Sequence, residues 1–211
     1  MTRRDAFGAS SPFVLIIVGR SVEQIAGGTL GVWAWVPTMI VFWGLIAAVV
    51  RYVSGSGAPA RWFRRPTPSA WCWLSVAVGL LSFPELVGHW RVLLRPDVFL
   101  LWLLFALVNP LFEEAYWRGC LLDATRRWPP AVSVPYSAIL FAVSHPLIWG
   151  VQSAALREWR VVPVLAVIGA IWTMAYRRTG SLACSVVGHA LANLFGMSVP
   201  LLLNLYSPFS R

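Results

Sequence analysis

Three short polar clusters lie inside an otherwise apolar chain, and their side chains are of the types that carry out acid–base chemistry. They are the segments 113–118 (EEAYWR), 141–145 (FAVSH) and 189–193 (HALAN). Together they supply two carboxylates, one guanidinium, two imidazoles and one carboxamide. Ionisable groups are costly inside a membrane and usually mark function there. The clusters therefore predict a polar site in which a carboxylate or a histidine moves a proton.

The first cluster separates into a structural part and a chemical part. Glu114 and Arg118 are four residues apart, so on a helix they share one face and can pair. Glu113 points about 100° away from Glu114 and can face a different cavity. A poorly solvated carboxylate in such a cavity is suited to act as a general base. We therefore expect the Glu114–Arg118 pair to support the site and Glu113 to act in it.

The second and third clusters place histidines where backbone or side-chain donors can converge. His145 follows Phe141 by one helical turn and precedes Pro146, whose missing N–H disturbs the helix. Irregular backbone at membrane depth occurs only inside protein or beside water. His189 and Asn193 are four residues apart and can donate hydrogen bonds to one point. Donors aimed at developing negative charge are what an oxyanion site requires.

In this order, Glu-Glu-x-x-x-Arg, Phe-x-x-x-His and His-x-x-x-Asn resemble the three motifs of the CPBP (Abi) family. That family includes the type II CAAX prenyl proteases and bacteriocin self-immunity proteins, and the resemblance covers about residues 105–200. It implies a glutamate-dependent intramembrane endopeptidase in which Glu113 and His145 activate the attacking water. It also implies that His189 and Asn193 hold the oxyanion.

The same resemblance assigns supporting residues and leaves one question about metal. The supporting side chains are Glu114, Arg118 and Phe141. Glutamate and histidine can also bind zinc, and a metal-dependent site would use Glu113, His145 and His189. The chain lacks the His-Glu-x-x-His spacing, so a metal-free, glutamic-type site with no cofactor is favoured, with zinc as the alternative.

Composition indicates that these motifs lie in a membrane. Of 211 residues, 58% are hydrophobic and only 12% are charged, about half the charge of a soluble domain. Thirteen tryptophans fit belts at the membrane–water interface, and Tyr116 and Trp117 are candidates to line a substrate groove. We predict an all-α polytopic membrane bundle of about seven spans (six to eight), with the active site within it.

The expected spans follow the apolar stretches of the chain. They are about 12–28, 30–50, 70–88, 98–112, 131–147, 161–176 and 181–205. The fourth should continue as helix to Leu122, before Trp128-Pro129-Pro130 breaks it. We expect residues 1–211 to form a single integral membrane domain with a motif-bearing core at about 98–205.

The distribution of charged residues predicts how the chain is oriented in the membrane and argues against nucleic acid as a partner. The net charge is +9, and arginine is the only basic residue apart from histidine. The arginines occur as small groups between spans rather than in one basic run, which is typical of topology anchors. A cytoplasmic N-terminus places ten arginines in inside loops and five in outside loops. This distribution, with the short chain, favours the cytoplasmic membrane of a bacterium.

Two weaker expectations concern isolated side chains. Cys72, Cys120 and Cys184 show no motif spacing, so they are expected to be packing residues rather than a disulfide or a metal site. Arg20 and Glu23 lie three apart in the first span and are expected to pair.

Together the sequence predicts an endopeptidase that cleaves a membrane protein or a lipidated protein in the lipid bilayer. The bond would lie in a CAAX-like tail or in a C-terminal sorting or transmembrane segment. One alternative is a non-proteolytic immunity or scaffold protein of the same family, and another is a transporter with a proton relay. Each cluster taken alone also has a structural explanation as an ion pair, a core histidine or a bond between helices.

Overall fold

The computed structural model describes residues 2–151 and 153–196, and every regular element among them is helical. The α-helices are α1 (Arg3–Leu30), α2 (Trp35–Ser54), α3 (Ala58–Trp62), α4 (Ala70–Leu80), α5 (Phe83–Leu93), α6 (Pro96–Glu114), α7 (Leu121–Ala124), α8 (Pro130–Leu147), α9 (Ala154–Arg157), α10 (Val161–Thr179) and α11 (Ala183–Phe195). A π-helical turn at Ala115–Cys120 joins α6 to α7. The predicted all-α class is confirmed.

Six stretches are long and apolar enough to cross a membrane, and they coincide with the first six predicted spans. They are Arg3–Leu30, Trp35–Ser54, Ala70–Gly88, Val98–Ala124, Pro130–Val151 and Val161–Thr179. The seventh predicted span is represented by α11, an apolar helix of 13 residues. Residues 197–205 of that span lie outside the described residues. The chain is an integral membrane protein built as a helical bundle of about seven spans.

The fourth span continues as helix past the glutamates, as predicted, but one turn near its C-terminal end is wider than an α-helix. α6 passes through Pro110 and ends at Glu114, and the next turn, Ala115–Cys120, is π-helical. A π turn accommodates one additional residue, and such turns are frequent at functional sites. Here it begins directly after the two glutamates of the first motif.

The bundle has two ends, which we name by their charge. The arginine-rich end consists of the segments 54–69, 125–129 and 180–182. The opposite end consists of the segments 31–34, 94–95, 148–151 and 153–160. At the arginine-rich end, the N–H of Leu182 donates to Trp62 (2.8 Å) and Arg64 Nε donates to Gly180 (2.9 Å). Gly180 has φ +66°, a conformation that glycine adopts without strain, and so ends α10 with a sharp turn.

The expectation that the cysteines only fill space is wrong for two of them. Cys72, near the start of α4, and Cys184, near the start of α11, form a disulfide with their Cα atoms 5.1 Å apart. A spacing of 112 residues carries no motif, so only the packing of α4 against α11 brings the two thiols together. Cys120 is a buried free thiol, as expected.

The expected pair between Arg20 and Glu23 is also not formed. Arg20 Nη1 donates to the carbonyl of Leu147 at 3.2 Å, so the guanidinium is directed toward α8. Glu23 is fully buried and forms no ion pair with Arg20. A spacing of three residues permits a pair on a helix, but the neighbouring helices decide whether the pair forms.

Candidate active site

The ends of α6 and α8 meet the middle of α11 around one cavity of about 390 Å³. Glu113, Phe141, His145, His189 and Asn193 all line it. These residues come from three helices and span 81 positions of the sequence, from 113 to 193. A mostly apolar cavity with a few converging polar groups is the usual form of a small binding or catalytic site. The three motifs therefore build one site.

Glu114 is the central hydrogen-bond acceptor beneath this cavity. Its Oε1 accepts from Arg118 Nη1 at 2.8 Å and from His189 Nδ1 at 2.9 Å. The carboxylate and the guanidinium are both fully buried. A buried charge is tolerated when it is paired and hydrogen-bonded, and this pair meets that condition. The predicted pairing of Glu114 with Arg118 is confirmed, and the bond to His189 extends it to α11.

Arg118 in turn connects four helical segments of the bundle. Its guanidinium carbon lies 4.2 Å from the ring centroid of Phe141 and 5.4 Å from that of Trp172. Its Nη2 donates to the carbonyl of Gly169 at 3.3 Å. Cation–π contacts are strongest when desolvated, as here. The guanidinium therefore holds α8 and α10 against the turn that follows Glu114.

Glu113 faces the cavity, as its angular offset from Glu114 predicts. Its Oε2 lies 3.9 Å from His189 Nε2, which is too long for a hydrogen bond. The same oxygen is buried and has no hydrogen-bond partner among residues 2–151 and 153–196. A buried carboxylate oxygen without a protein partner is available to a water molecule or a substrate group.

His145 is held in one tautomer by its own helix. Its Nδ1 lies 2.8 Å from the carbonyl oxygen of Phe141. A carbonyl oxygen only accepts hydrogen bonds, so Nδ1 carries the proton and Nε2 is left as an acceptor. The ring also contacts the edge of Phe141, with centroids 4.7 Å apart. Phe141 thus fixes the ring orientation through both its backbone and its side chain.

The ring of His189 is held in place by aromatic stacking on α10 and by the close packing of α11 against α4. Its ring stacks on Trp172, with centroids 4.6 Å apart and an interplanar angle of 19°. A Cβ atom at Gly188 would collide with the carbonyl oxygen of Ser75, and one at Gly79 would collide with the backbone of Gly188. The absence of side chains at these two glycines lets α11 approach α4 closely.

A comparison with protein families addresses this arrangement directly. Residues 95–195 match the family described as type II CAAX prenyl endopeptidase Rce1-like. Over these residues the chain is similar to the Rce1-like family. The matched Rce1-like segment runs from just before α6 to the end of α11 and contains all three motifs. Neither a curated protein nor a solved structure matches the chain.

The Rce1-like assignment and the six apolar spans agree about the class of protein. The family description is that of a CAAX-type endopeptidase, and the spans place it in a lipid bilayer. An enzyme of this class acts on a membrane-associated substrate. The resemblance to the CPBP and CAAX protease family that the motifs suggested is confirmed.

Two aromatic residues that the sequence analysis placed at a substrate groove lie elsewhere in the structure. Tyr116 and Trp117 are buried in the core and do not line the cavity. Tyr116 bonds the hydroxyl of Ser11 at 2.7 Å. Five of the thirteen tryptophans are buried inside the protein. Those that are buried are Trp35, Trp62, Trp117, Trp149 and Trp172.

Asn109 also belongs to the site, although the three motifs do not include it. It lines the cavity one helical turn before Glu113 and is 3% exposed. Its Oδ1 accepts a hydrogen bond from Trp43 Nε1 at 2.9 Å. The position four residues before Glu113 was the available signal, because such residues share a helix face.

The described residues do not form a ready metal site. Within 2–151 and 153–196, no three His, Cys, Asp or Glu side chains converge closely enough to ligate one ion. Glu113, His145 and His189 share the cavity, and the bond from His189 Nδ1 to Glu114 leaves Nε2 on the side of Glu113.

Proposed function

We propose that the protein is a glutamic-type intramembrane endopeptidase that hydrolyses a peptide bond in a membrane-associated protein. The observation that carries this proposal is the single cavity lined by Glu113, His145, His189 and Asn193. It combines an unpartnered carboxylate oxygen, a histidine with a free acceptor nitrogen and a second histidine bonded to a buried carboxylate. Those are the groups that water activation and oxyanion stabilisation require.

In the proposed reaction, Glu113 and His145 accept a proton from a water molecule. The resulting hydroxide attacks the scissile carbonyl carbon and forms a tetrahedral intermediate. His189, as an imidazolium bonded to Glu114 through Nδ1–H, donates a hydrogen bond from Nε2 to the oxyanion, and Asn193 donates a second. The proton taken from water then passes to the leaving amine, and the carbon–nitrogen bond breaks. Glu114 orients His189 through Nδ1, as the buried carboxylate does in other carboxylate–histidine pairs.

The substrate is proposed to be a lipidated or transmembrane protein that is cleaved near its C-terminus. A CAAX-like tail is supported by the Rce1-like family, and a C-terminal sorting segment is the second possibility. We propose a metal-free mechanism with no cofactor. One stoichiometric zinc ion in elemental analysis of pure, active protein would disprove it.

We further propose that the protein resides in the cytoplasmic membrane of a bacterium with its N-terminus in the cytoplasm. The support is the ratio of ten arginines to five between the two sets of loops. In this orientation the arginine-rich end is cytoplasmic. We propose that residues 1–211 act as one domain, because the motif-bearing core packs on α1, α2 and α4.

The test compares protein termini in membranes of the natural host. Cells carry the wild type, Glu113→Gln or Glu23→Gln at matched expression. Glu23 is a matched control because it is a buried carboxylate that does not line the cavity. We expect specific new termini with the wild type and with Glu23→Gln, and their loss with Glu113→Gln.

The positions of the new termini distinguish a CAAX-like tail from a sorting segment. Identical termini in all three strains would reject proteolysis and favour the immunity or scaffold alternative. That alternative predicts that Glu113→Gln folds and retains its function.

A further inference from the structure

A second cavity, of about 580 Å³, lies between α1 and the segment that follows His145. Its walls include Arg20 and Gln24 of α1, together with Arg157 and Trp159 near the start of α10. It shares no lining residue with the candidate active site. The protease mechanism uses none of these side chains.

The cavity contains two positive charges that no protein carboxylate neutralises. Arg20 Nη1 donates to the carbonyl of Leu147 at 3.2 Å. Arg157 donates from Nε to Gly150 at 2.9 Å and from Nη2 to Val151 at 2.8 Å. Neither arginine forms an ion pair within residues 2–151 and 153–196. Each guanidinium has five N–H groups, so both retain donors that can bind an anion.

The depth of the cavity corresponds to the level of lipid headgroups. Seventeen residues separate Arg3 from Arg20 on the continuous helix α1, which is a rise of about 26 Å. The hydrocarbon core of a bilayer is about 30 Å thick. With Arg3 at one boundary, Arg20 therefore lies near the other. Trp159 is 59% exposed beside it, as expected of an aromatic side chain at the interface.

The surface below the cavity is suited to an acyl chain. Phe13 and Ile17 are 52% and 64% exposed on α1. Positions 13, 17, 20 and 24 are spaced three or four apart and so share one helix face. An apolar stripe therefore leads from the bilayer interior to the guanidinium of Arg20.

We propose that this second cavity binds the phosphate group of an anionic phospholipid, with Arg20 and Arg157 as its ligands. Guanidinium groups bind phosphate oxygens through paired hydrogen bonds. Two uncompensated positive charges favour a headgroup with a net negative charge over a zwitterionic one, whose ammonium group they would repel. The acyl chain packs along Phe13 and Ile17.

The location gives the lipid a structural consequence. The segments 148–151 and 153–160 separate the two cavities: Trp149 and Leu156 line the candidate active site, while Gly150 and Arg157 line the second cavity. A bound phosphate would hold Arg157 and, through its two carbonyl bonds, the turn at 149–151. The lipid would therefore stabilise one wall of the candidate active site.

The test is native mass spectrometry of the full chain in detergent, with phosphatidylglycerol or phosphatidylcholine added in steps. Its readout is lipid binding, so the result does not depend on whether the chain is a protease. The variants are Arg20→Gln, Arg157→Gln and the double variant. Arg91→Gln is the matched control, since Arg91 is an exposed arginine near the same end of the bundle and does not line the cavity.

We expect phosphatidylglycerol to bind more tightly than phosphatidylcholine. Each single substitution should weaken its binding about fivefold and the double substitution about 25-fold, since an arginine near anionic lipid contributes roughly that factor. Arg91→Gln should bind as the wild type does. Equal binding of the two lipids, or undiminished binding by a folded double variant, would overturn the proposal.

A second arm separates lipid from free phosphate and uses the wild type alone. Millimolar inorganic phosphate is added to the complex with phosphatidylglycerol. Retention of the lipid supports a headgroup site anchored by acyl contacts along α1. Release of the lipid would assign the cavity to a soluble anion instead. This arm remains decisive even where the arginine variants fail to fold.

Discussion

The buried guanidinium of Arg118 allows a quantitative prediction, because nearly all of its contacts are known. Arg118→Met keeps the side-chain volume close to that of arginine but removes the charge. It eliminates the 2.8 Å bond to Glu114 and two cation–π contacts, and it leaves Glu114 buried with His189 as its remaining bonded partner. Breaking a buried ion pair from one side costs about 3–5 kcal/mol.

The magnitude follows from the individual contacts. A hydrogen bond to a charged group is worth about 1.5–3 kcal/mol. A desolvated cation–π contact, such as that with Phe141 at 4.2 Å, adds up to about 2 kcal/mol. The sum agrees with the cost of breaking the pair. For a chain of this length each 1 kcal/mol shifts Tm by about 2–4 °C, so we expect a fall of roughly 6–20 °C.

The assay is thermal unfolding of the purified protein in detergent, followed by tryptophan fluorescence. Arg178→Met is the control, because Arg178 is exposed at the arginine-rich end and its Tm should change by less than about 2 °C. The double variant Arg118→Met/Glu114→Leu should recover at least half of the loss, since it no longer buries an uncompensated carboxylate. A single variant as stable as the control would refute the reasoning.

Two further predictions concern the contact between α4 and α11. Gly188→Ala should lower Tm, because the added Cβ would collide with the carbonyl of Ser75 and crowd the indole nitrogen of Trp172. A Tm equal to that of the wild type would show that α4 and α11 can move apart without loss of stability. If the arginine-rich end is cytoplasmic, Cys72 and Cys184 should be thiols in growing cells, because that compartment is reducing. Alkylation after acid quenching would then label both, whereas protection that is lost only on reduction would contradict the proposed orientation.

The sequence predicts those parts of this fold that depend on local spacing. Apolar runs of about 20 residues identify the first six spans, since the thickness of the bilayer sets that length. The spacing of four residues predicts the Glu114–Arg118 bond, because the two side chains lie on one helix turn. The angular offset on the same helix correctly predicts that Glu113 faces the cavity.

What the sequence does not predict depends on contacts between distant helices. The bond from His189 to Glu114 joins positions 75 residues apart, and no local pattern encodes which ring nitrogen it uses. The stacking of Trp172 on His189 is likewise fixed by how α10 packs against α11. The tryptophan-rich composition predicted that rings such as that of Trp172 lie at the membrane interface, where indole rings are favoured. The wall of a cavity provides the same combination of apolar contacts and a hydrogen-bond partner for the indole.

The disulfide between α4 and α11 also has a consequence for the order of biosynthesis. A chain is made from its N-terminus at about 5–20 residues per second, so Cys184 follows Cys72 by roughly 6–22 s. During that interval every helix from α5 to α10 is synthesised, together with Glu113 and His145. The bond can close only after α11 has docked against α4. If that end of the bundle lies in an oxidising compartment, a bridged chain has therefore completed its assembly; in a reducing cytoplasm the two thiols meet only after the same docking step.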